Sequence, residues 1–497
     1  MLGTFLLIAS LWCYGPSTRV PCDGLPETGH SSIWNNTTKT VTLSGGKGER
    51  LGFQIVIGPG VSYSNVRIAA TNLYGPQEPA PANWDFLWER RILVDPQRPE
   101  VSSRLGVGLY RERLEPFNSF VIPLSTMKEV IFIKLKVPHV VAGDYSAWIS
   151  LRANDEVDTI RVNLKIRNFT VQEPSTIMMV GLSIPKLNAT VGPWQQTITS
   201  YMQMAADNDI TLLVNGWQES LNWTDYRNIM GQWIPDAKRW VLPIPESYRL
   251  PYVASNDSLR VLETFRIMGD RWRQSGWPLD HAFAWIYDEP SLRWWAAYPE
   301  EVLAYAQAAR AGNPQIRILV TDDPDTNLLP GLDILASRSD HFCRFGGIEN
   351  WAYQSYDGGL PLHTIDSPGE NFRLWPWISL KYGIPLFYWC GNFWYEPNPL
   401  LVADGQPEQY RDGNGVLFWP DTSDPENSAL SSLRLEAISR GMQDVAIMEQ
   451  LRQRSPLLYM SIMNRVVRSA LSDGSQWTTS GDSLDIWIER ARQYLSQ

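Results

Sequence analysis

The run Trp285-Ile286-Tyr287-Asp288-Glu289-Pro290 closes an apolar stretch with two adjacent acids and a proline. Burial and mutual repulsion push the pKa values of such neighbours apart. One then stays a proton donor while the other stays ionised, which is the division of labour that glycoside cleavage needs. Successive strand residues point to opposite faces, so both acids share a site only if the backbone twists at the strand end. The alternative gives Asp288 to the cap of a following helix and Glu289 to solvent.

Other polar and aromatic residues follow apolar strand cores: Asn215 and Trp217, Asp322 and Asp323, Asn392, Trp394 and Glu396, and Trp419 and Asp421. Asp322-Asp323-Pro324 also suits a turn, and Pro397-Asn398-Pro399 makes Glu396 a loop carboxylate before it makes it a nucleophile. Were Glu289 and Glu396 acid/base and nucleophile of a direct displacement, their carboxyl groups would stand about 5–5.5 Å apart. Trp389 and Trp394 offer flat faces to sugar rings, with barrel core as the other reading of Trp389.

These residues need a scaffold that brings strand ends together. Up to about residue 172 the chain reads as strands without helices: 51–58, 130–137, 146–153 and 159–166. In the last, Ile160, Val162, Leu164 and Ile166 alternate with Arg161, Asn163 and Lys165. That pattern predicts a β-sandwich over 1–172, with 168–177 as its exit linker. Strand and helix then alternate: strands at 178–185, 211–217, 281–290, 317–324, 332–337, 384–394 and 415–420, and helices near 194–206, 258–276, 299–312, 372–383 and 428–454. Predominantly apolar strands in this rhythm predict a (β/α)8 TIM-type barrel over 173–455, with extra C-terminal helices over 456–497 and an open doubly wound sheet as runner-up. In such a barrel the site lies at the C-terminal strand ends. In the last barrel helix, Leu430, Leu433, Ala437, Ile438, Gly441, Val445, Met448 and Leu451 form a core-facing stripe. Arg434, Glu436, Arg440 and Asp444 read as an ion-pair network on its surface.

Composition narrows the chemistry. Net charge is −10 with no basic run, which argues against gripping phosphate backbones, so no nucleic-acid partner is expected. Five histidines without an HExxH pattern and four cysteines without a CxxC pair disfavour a metal centre and leave few bases for a Ser-His-Asp triad. No GxGxxG or Walker lysine motif follows a strand, so no cofactor is expected. With 23 Trp in 497 residues, carbohydrate is the partner that composition favours. No stretch is long and apolar enough to span a membrane. The run from Leu2 to Trp12 reads as an export h-region or as a first strand. Export to an extracytoplasmic compartment is the adopted reading, with the cytoplasm as alternative. In that compartment Cys13 could pair with Cys22, and the sequons at Asn35, Asn36, Asn168, Asn188, Asn222 and Asn256 could carry glycans.

A chain of short motifs resembles glycoside hydrolase family 123 and the wider group sharing its catalytic domain. These are Gly48-Glu49-Arg50-Leu51-Gly52-Phe53-Gln54, Gly143-Asp144-Tyr145-Ser146, Tyr287-Asp288-Glu289-Pro290, 412–420 and the segment from Leu433 to Asp444, in the family's order over about 40–455. Gln443 replaces the family's usual Glu, and the closing Gly of the second motif is absent. The resemblance implies a β-sandwich followed by a TIM barrel. It implies release of terminal β-linked N-acetylgalactosamine with retention, the substrate's own acetamido group acting as nucleophile. By motif, Glu289 would be the general acid/base and Asp288 would bind the acetamido N–H. An aromatic box for the acetamido group would come from Tyr287, Trp389 and Trp394. Asp322, Asp323 or Arg344 would read the hydroxyl that separates galacto from gluco. The sequence leaves galacto or gluco configuration, exo or endo action, the aglycone and the oligomeric state open, and a non-catalytic carbohydrate-binding protein on the same fold is the third reading.

Overall fold

The computed structural model describes the chain from residue 11 onward except 23–30, 59–62, 78, 95–107, 118–119, 123–126, 154–155, 216–221, 245–256, 291–298, 324–326, 355–358 and 393–412. Two mainly antiparallel sheets hold the N-terminal strands. One runs Leu11–Tyr14, Arg50–Ile57, Glu129–Lys136, Asn83–Val94, Gly108–Pro116, Ala429–Ser432, Trp419–Pro420. The other runs Trp34–Asn35, Thr40–Lys47, Glu156–Thr170, Gly143–Ala153, Tyr63–Ala70, Phe120–Ile122. Alternation decides which face is buried: Ile160, Val162, Leu164 and Ile166 point inward and pack in one cluster with Phe53, Ile55, Ile131 and Ile133 of the first sheet.

Leu11–Tyr14 pairs with the Arg50–Ile57 strand, so the end of the N-terminal apolar run is a sheet strand. The earlier part of that run lies outside the described residues. Cys13 and Cys22 are both buried free thiols rather than a disulfide. The stretch 415–420 is not a barrel strand. Gly413 and Gly415 take positive φ, and Leu417 N donates to Gly391 O at 2.8 Å, so the chain turns there. Only Trp419–Pro420 is extended, and with Ala429–Ser432 it continues the seven-stranded sheet.

The third sheet has eight parallel strands in chain order around a ring. Barrel strands 1 to 8 are Met178–Ser183, Thr211–Asn215, Trp240–Val241, Ala282–Asp288, Arg317–Thr321, Ile334–Arg338, Glu349–Tyr353 and Leu386–Tyr388. Strand 8 returns to pair with strand 1, and the ladder is open only between strands 2 and 3 among the described residues. Strands 3 and 7 escape sequence reading: the first is two residues long, and Glu349 and Asn350 break the apolar run of the second. Met179, Leu213, Val241, Phe283, Leu319, Ile334, Trp351 and Phe387 fill the interior. Alternate residues pack outward against the helices Trp194–Asp207, Ser258–Gln274, Pro299–Gly312, Glu370–Tyr382 and Leu433–Arg454. Strands 5 and 6 are joined through one 3-10 turn, Leu329–Gly331, and no helix lies between strands 6 and 7 among the described residues. Helices Pro456–Val466 and Gly481–Leu495 complete the chain.

The Leu433–Arg454 helix does not have the wet face expected of it. Leu433 to Glu449 are buried all round, between the barrel and the seven-stranded sheet. Ser432 caps its start, its Oγ accepting from Leu435 N. A Cβ at Gly441 would sit 2.3 Å from Arg373 O, so only glycine lets the Glu370–Tyr382 helix approach this closely. Pro376 lies inside that neighbouring helix without ending it.

Candidate active site

Barrel strand 4 reaches the mouth through a register shift against strand 5. Phe283, Trp285 and then Asp288 pair with Arg317, Leu319 and Thr321, because an extra residue intervenes between Trp285 and Tyr287. Without that bulge, simple alternation would aim Tyr287 at the lumen and Asp288 at the helices. With it, Tyr287 is fully buried in the outer helix-facing cluster while Asp288 shares the face of Thr321. Tyr287 therefore does not line the mouth as the aromatic-box reading requires.

Glu289 then takes φ +51°, a left-handed conformation that costs a non-glycine residue on the order of 1 kcal/mol or more. Its N–H donates to Thr321 O at 2.6 Å, which locks the kink to strand 5. The kink turns the second acid toward the mouth, where Tyr353 Oη donates to Glu289 Oε1 at 2.7 Å from the end of strand 7. Burial, then the Glu289 charge and hydrogen bond, push the Tyr353 hydroxyl far above its ordinary range, so it stays an O–H donor.

Asp288 has its own anchor. Thr321 Oγ1 donates to Asp288 Oδ1 at 2.9 Å and accepts from Trp285 Nε1 at 3.2 Å. The indole N–H orients the hydroxyl as a donor, so Asp288 meets it as an acceptor. Both acids are partly exposed, above the buried layer of Trp285, Tyr353 and Phe387.

Trp389 follows strand 8 and packs on this same interior cluster, its Nε1 donating to Asn414 Oδ1 at 3.2 Å. Asp323 lies two residues beyond Thr321 of strand 5, with His341 Nδ1 2.9 Å from its Oδ2 and Arg338 Nε 3.8 Å from its Oδ1. Arg338 ends strand 6 and pairs with Asp340 at 2.8 Å. Burial opposes its charge, but Asp340 and Asp323 outweigh that and hold the guanidinium above its ordinary value. Sequence reading missed Thr321, Arg338, His341 and Tyr353. Arg338 was legible as the first polar residue after 332–337; Tyr353 was not, because its strand was not recognised.

Several candidates sit elsewhere. Asp322 is fully buried, and its carboxylate accepts from Asp323 N at 2.9 Å, so it shapes the loop. Asn392 is fully buried and clamps Ser183, accepting from its N at 2.7 Å and donating to its O at 3.0 Å. Trp419 is buried in the sheet described above. Asp421 accepts from Ser423 N in a turn. Arg344 is at the opposite, N-terminal end of the barrel. There it lines a cleft of about 440 Å³ with Ile177, Arg239 and Pro385, which precede strands 1, 3 and 8. Asn215 ends strand 2; its side chain, and Trp217, Trp394 and Glu396, lie outside the described residues. No group of three His, Cys, Asp or Glu side chains arranged to hold a metal ion occurs among the described residues.

No protein-family profile and no curated protein matches the chain. Among solved structures, a family 123 glycoside hydrolase from Clostridium perfringens, studied for glycolipid glycan hydrolysis, superposes with a TM-score of 0.70 over 98% of each chain at 14% identity. Bacteroides uniformis beta-glucuronidase 3 aligns over 82% of this chain and 50% of its own at 11% identity and a TM-score of 0.34, too loosely to bear on the site. The first superposition establishes a shared fold along the whole chain.

Proposed function

We propose that this chain is a glycoside hydrolase, a retaining β-N-acetylhexosaminidase that releases N-acetylgalactosamine with the substrate's acetamido group as nucleophile. The observation that carries the reading is the bulge and positive-φ kink that turn Asp288 and Glu289 together into the barrel mouth. Adjacent residues share a mouth only at a strain cost, and such strain concentrates where function holds it. Whole-length fold likeness to a family 123 glycoside hydrolase supports the same reading.

The chemistry follows from the anchors. Asp288, held as acceptor by Thr321, takes the acetamido N–H and steadies positive charge as the acetamido oxygen attacks C1. The leaving oxygen takes its proton from Glu289. Tyr353 donates to Glu289 Oε1 and orients the carboxyl group, which later takes a proton from the water that opens the oxazolinium ring. Trp389 supplies an apolar face for the sugar. The C1–O bond to the leaving group breaks as the C1–O bond to the acetamido oxygen forms, and water then takes the place of that oxygen at C1 with retention.

Glu289→Gln and Asp288→Asn should each lower kcat/KM on an aryl β-N-acetylgalactosaminide by about 10³-fold or more, with folding intact. Turnover near wild type in either variant overturns the assignment. Retained turnover in Asp288→Asn alone would point instead to direct displacement, with Glu396 as the nucleophile to test.

A further inference from the structure

The outer face of the six-stranded sheet carries a feature the barrel chemistry does not use. Tyr74 and Ser146 exchange backbone hydrogen bonds at 2.8 Å, so their side chains share a face. Trp148 is two residues further along the same strand and on that face. Both rings stand in solvent, Tyr74 and Trp148 each 46% exposed. The Arg161 guanidinium lies 5.9 Å from the Trp148 ring centre, directly opposite in register. Further along, Arg152 and Arg67 face each other across the antiparallel pair, both exposed.

Like charges directly opposite on a sheet repel. Arg67, Arg152 and Arg161 make no ion pair among the described residues, in a chain of net charge −10. Lys165 adds a fourth exposed cation, and Asp144 opposite it is the acid on these rows. A flat aromatic step beside unneutralised guanidinium groups suits a ligand with apolar ring faces and fixed anions.

We propose that this face binds a sulfated polysaccharide. Sugar rings stack on Tyr74 and Trp148 while sulfate groups take bidentate hydrogen bonds from Arg67, Arg152 and Arg161. The site is separate from Asp288 and Glu289, and does not depend on what they hydrolyse.

Titration of the full chain with chondroitin sulfate oligosaccharides, their desulfated counterparts and a DNA strand of equal charge tests this. The account expects binding of the sulfated chains that weakens with salt, little binding of the desulfated ones, and weaker binding of DNA. Trp148→Ala and the double change Arg67→Gln/Arg152→Gln should each weaken it about tenfold. Both alter exposed side chains, and unchanged melting temperatures verify that they fold. No binding by wild type at low salt, wild-type affinity in both variants, or equal affinity for DNA overturns the proposal.

Discussion

At the barrel mouth, Asp288 and Glu289 take hydrogen bonds from the hydroxyls of Thr321 and Tyr353 and stay partly exposed. At the junction between the seven-stranded sheet and the barrel helices, carboxylates are handled differently. Glu49 is fully buried and meets Arg440 at 2.8 Å, Arg492 through a forked pair and Gly46 N at 2.9 Å. Asp444 takes Arg373 at 2.7 Å and Trp377 Nε1 at 3.2 Å, and Arg373 continues to Asp485 at 2.7 Å. Burial raises Glu49 and Asp485, but Arg492 and Arg440 outweigh it for Glu49, as Arg373 and Arg440 do for Asp485, and both end below their ordinary range. The mouth keeps its acids within reach of a ligand and strains the backbone to do so; the junction spends its acids on holding four segments together. Charged residues in a motif therefore mean different things according to what neutralises them.

The junction should be the more fragile under substitution. Glu49→Gln leaves Arg440 and Arg492 buried without their anion, and should cost about 3–5 kcal/mol by chemical denaturation. A loss no greater than that of a surface change would break the comparison.

A second buried acid sharpens it through pH. Burial pushes Glu89 up to about 8, and neither carboxyl oxygen has a hydrogen-bond partner among the described residues. Its ordinary value is 4.5, so between there and 8 the unfolded chain gives up a proton that the folded chain keeps. Stability from this group is complete below the lower value and falls as pH rises through the upper one. Glu89→Gln should therefore gain on wild type by a few kcal/mol, on the order of 1.36 kcal/mol per pH unit across that window, when melts at pH 5 and pH 8.5 are compared. A constant difference across that range would contradict it.

Gln443 gives a smaller effect. Its Nε2 donates to Asp209 Oδ2 at 2.6 Å and its Oε1 accepts from Arg50 N at 3.2 Å. A glutamate there would keep the Arg50 N–H but set a second carboxylate against Asp209, which would lose its amide donor and keep only its Arg50 guanidinium, so Gln443→Glu should cost about 1–3 kcal/mol. The motif resemblance expects Glu at this position, and Asp209 is a physical reason for the amide. The smallest effect is expected at the mouth. Glu289→Gln preserves an acceptor for Tyr353, so its stability should stay within about 0.5 kcal/mol of wild type while activity collapses.

Alternation and apolar runs made the N-terminal strands and most barrel strands legible, because burial on one face or both writes itself into period. The two acids were legible from their place at a strand end. The devices that aim them were not: a bulge and a kink at Glu289 depend on the register of a neighbouring strand, which no local window contains. The same limit explains Tyr287, placed outward by that bulge, and Arg344, whose strand neighbours put it at the wrong end. Arg434, Glu436, Arg440 and Asp444 read as a wet helix face because no local window shows the seven-stranded sheet that covers it. Arg434 in fact pairs with Glu112, and Lys134 meets Glu436 at 2.9 Å.

The central claim is that Asp288 and Glu289 cleave a glycoside with help from its own acetamido group. Its most direct test is hydrolysis of matched aryl β-glycosides with and without the 2-acetamido group, by wild type and Glu289→Gln. The account predicts turnover confined to the acetamido sugars and lost in the variant. Efficient cleavage of a sugar bearing a 2-hydroxyl, or hydrolysis that survives Glu289→Gln, would contradict it.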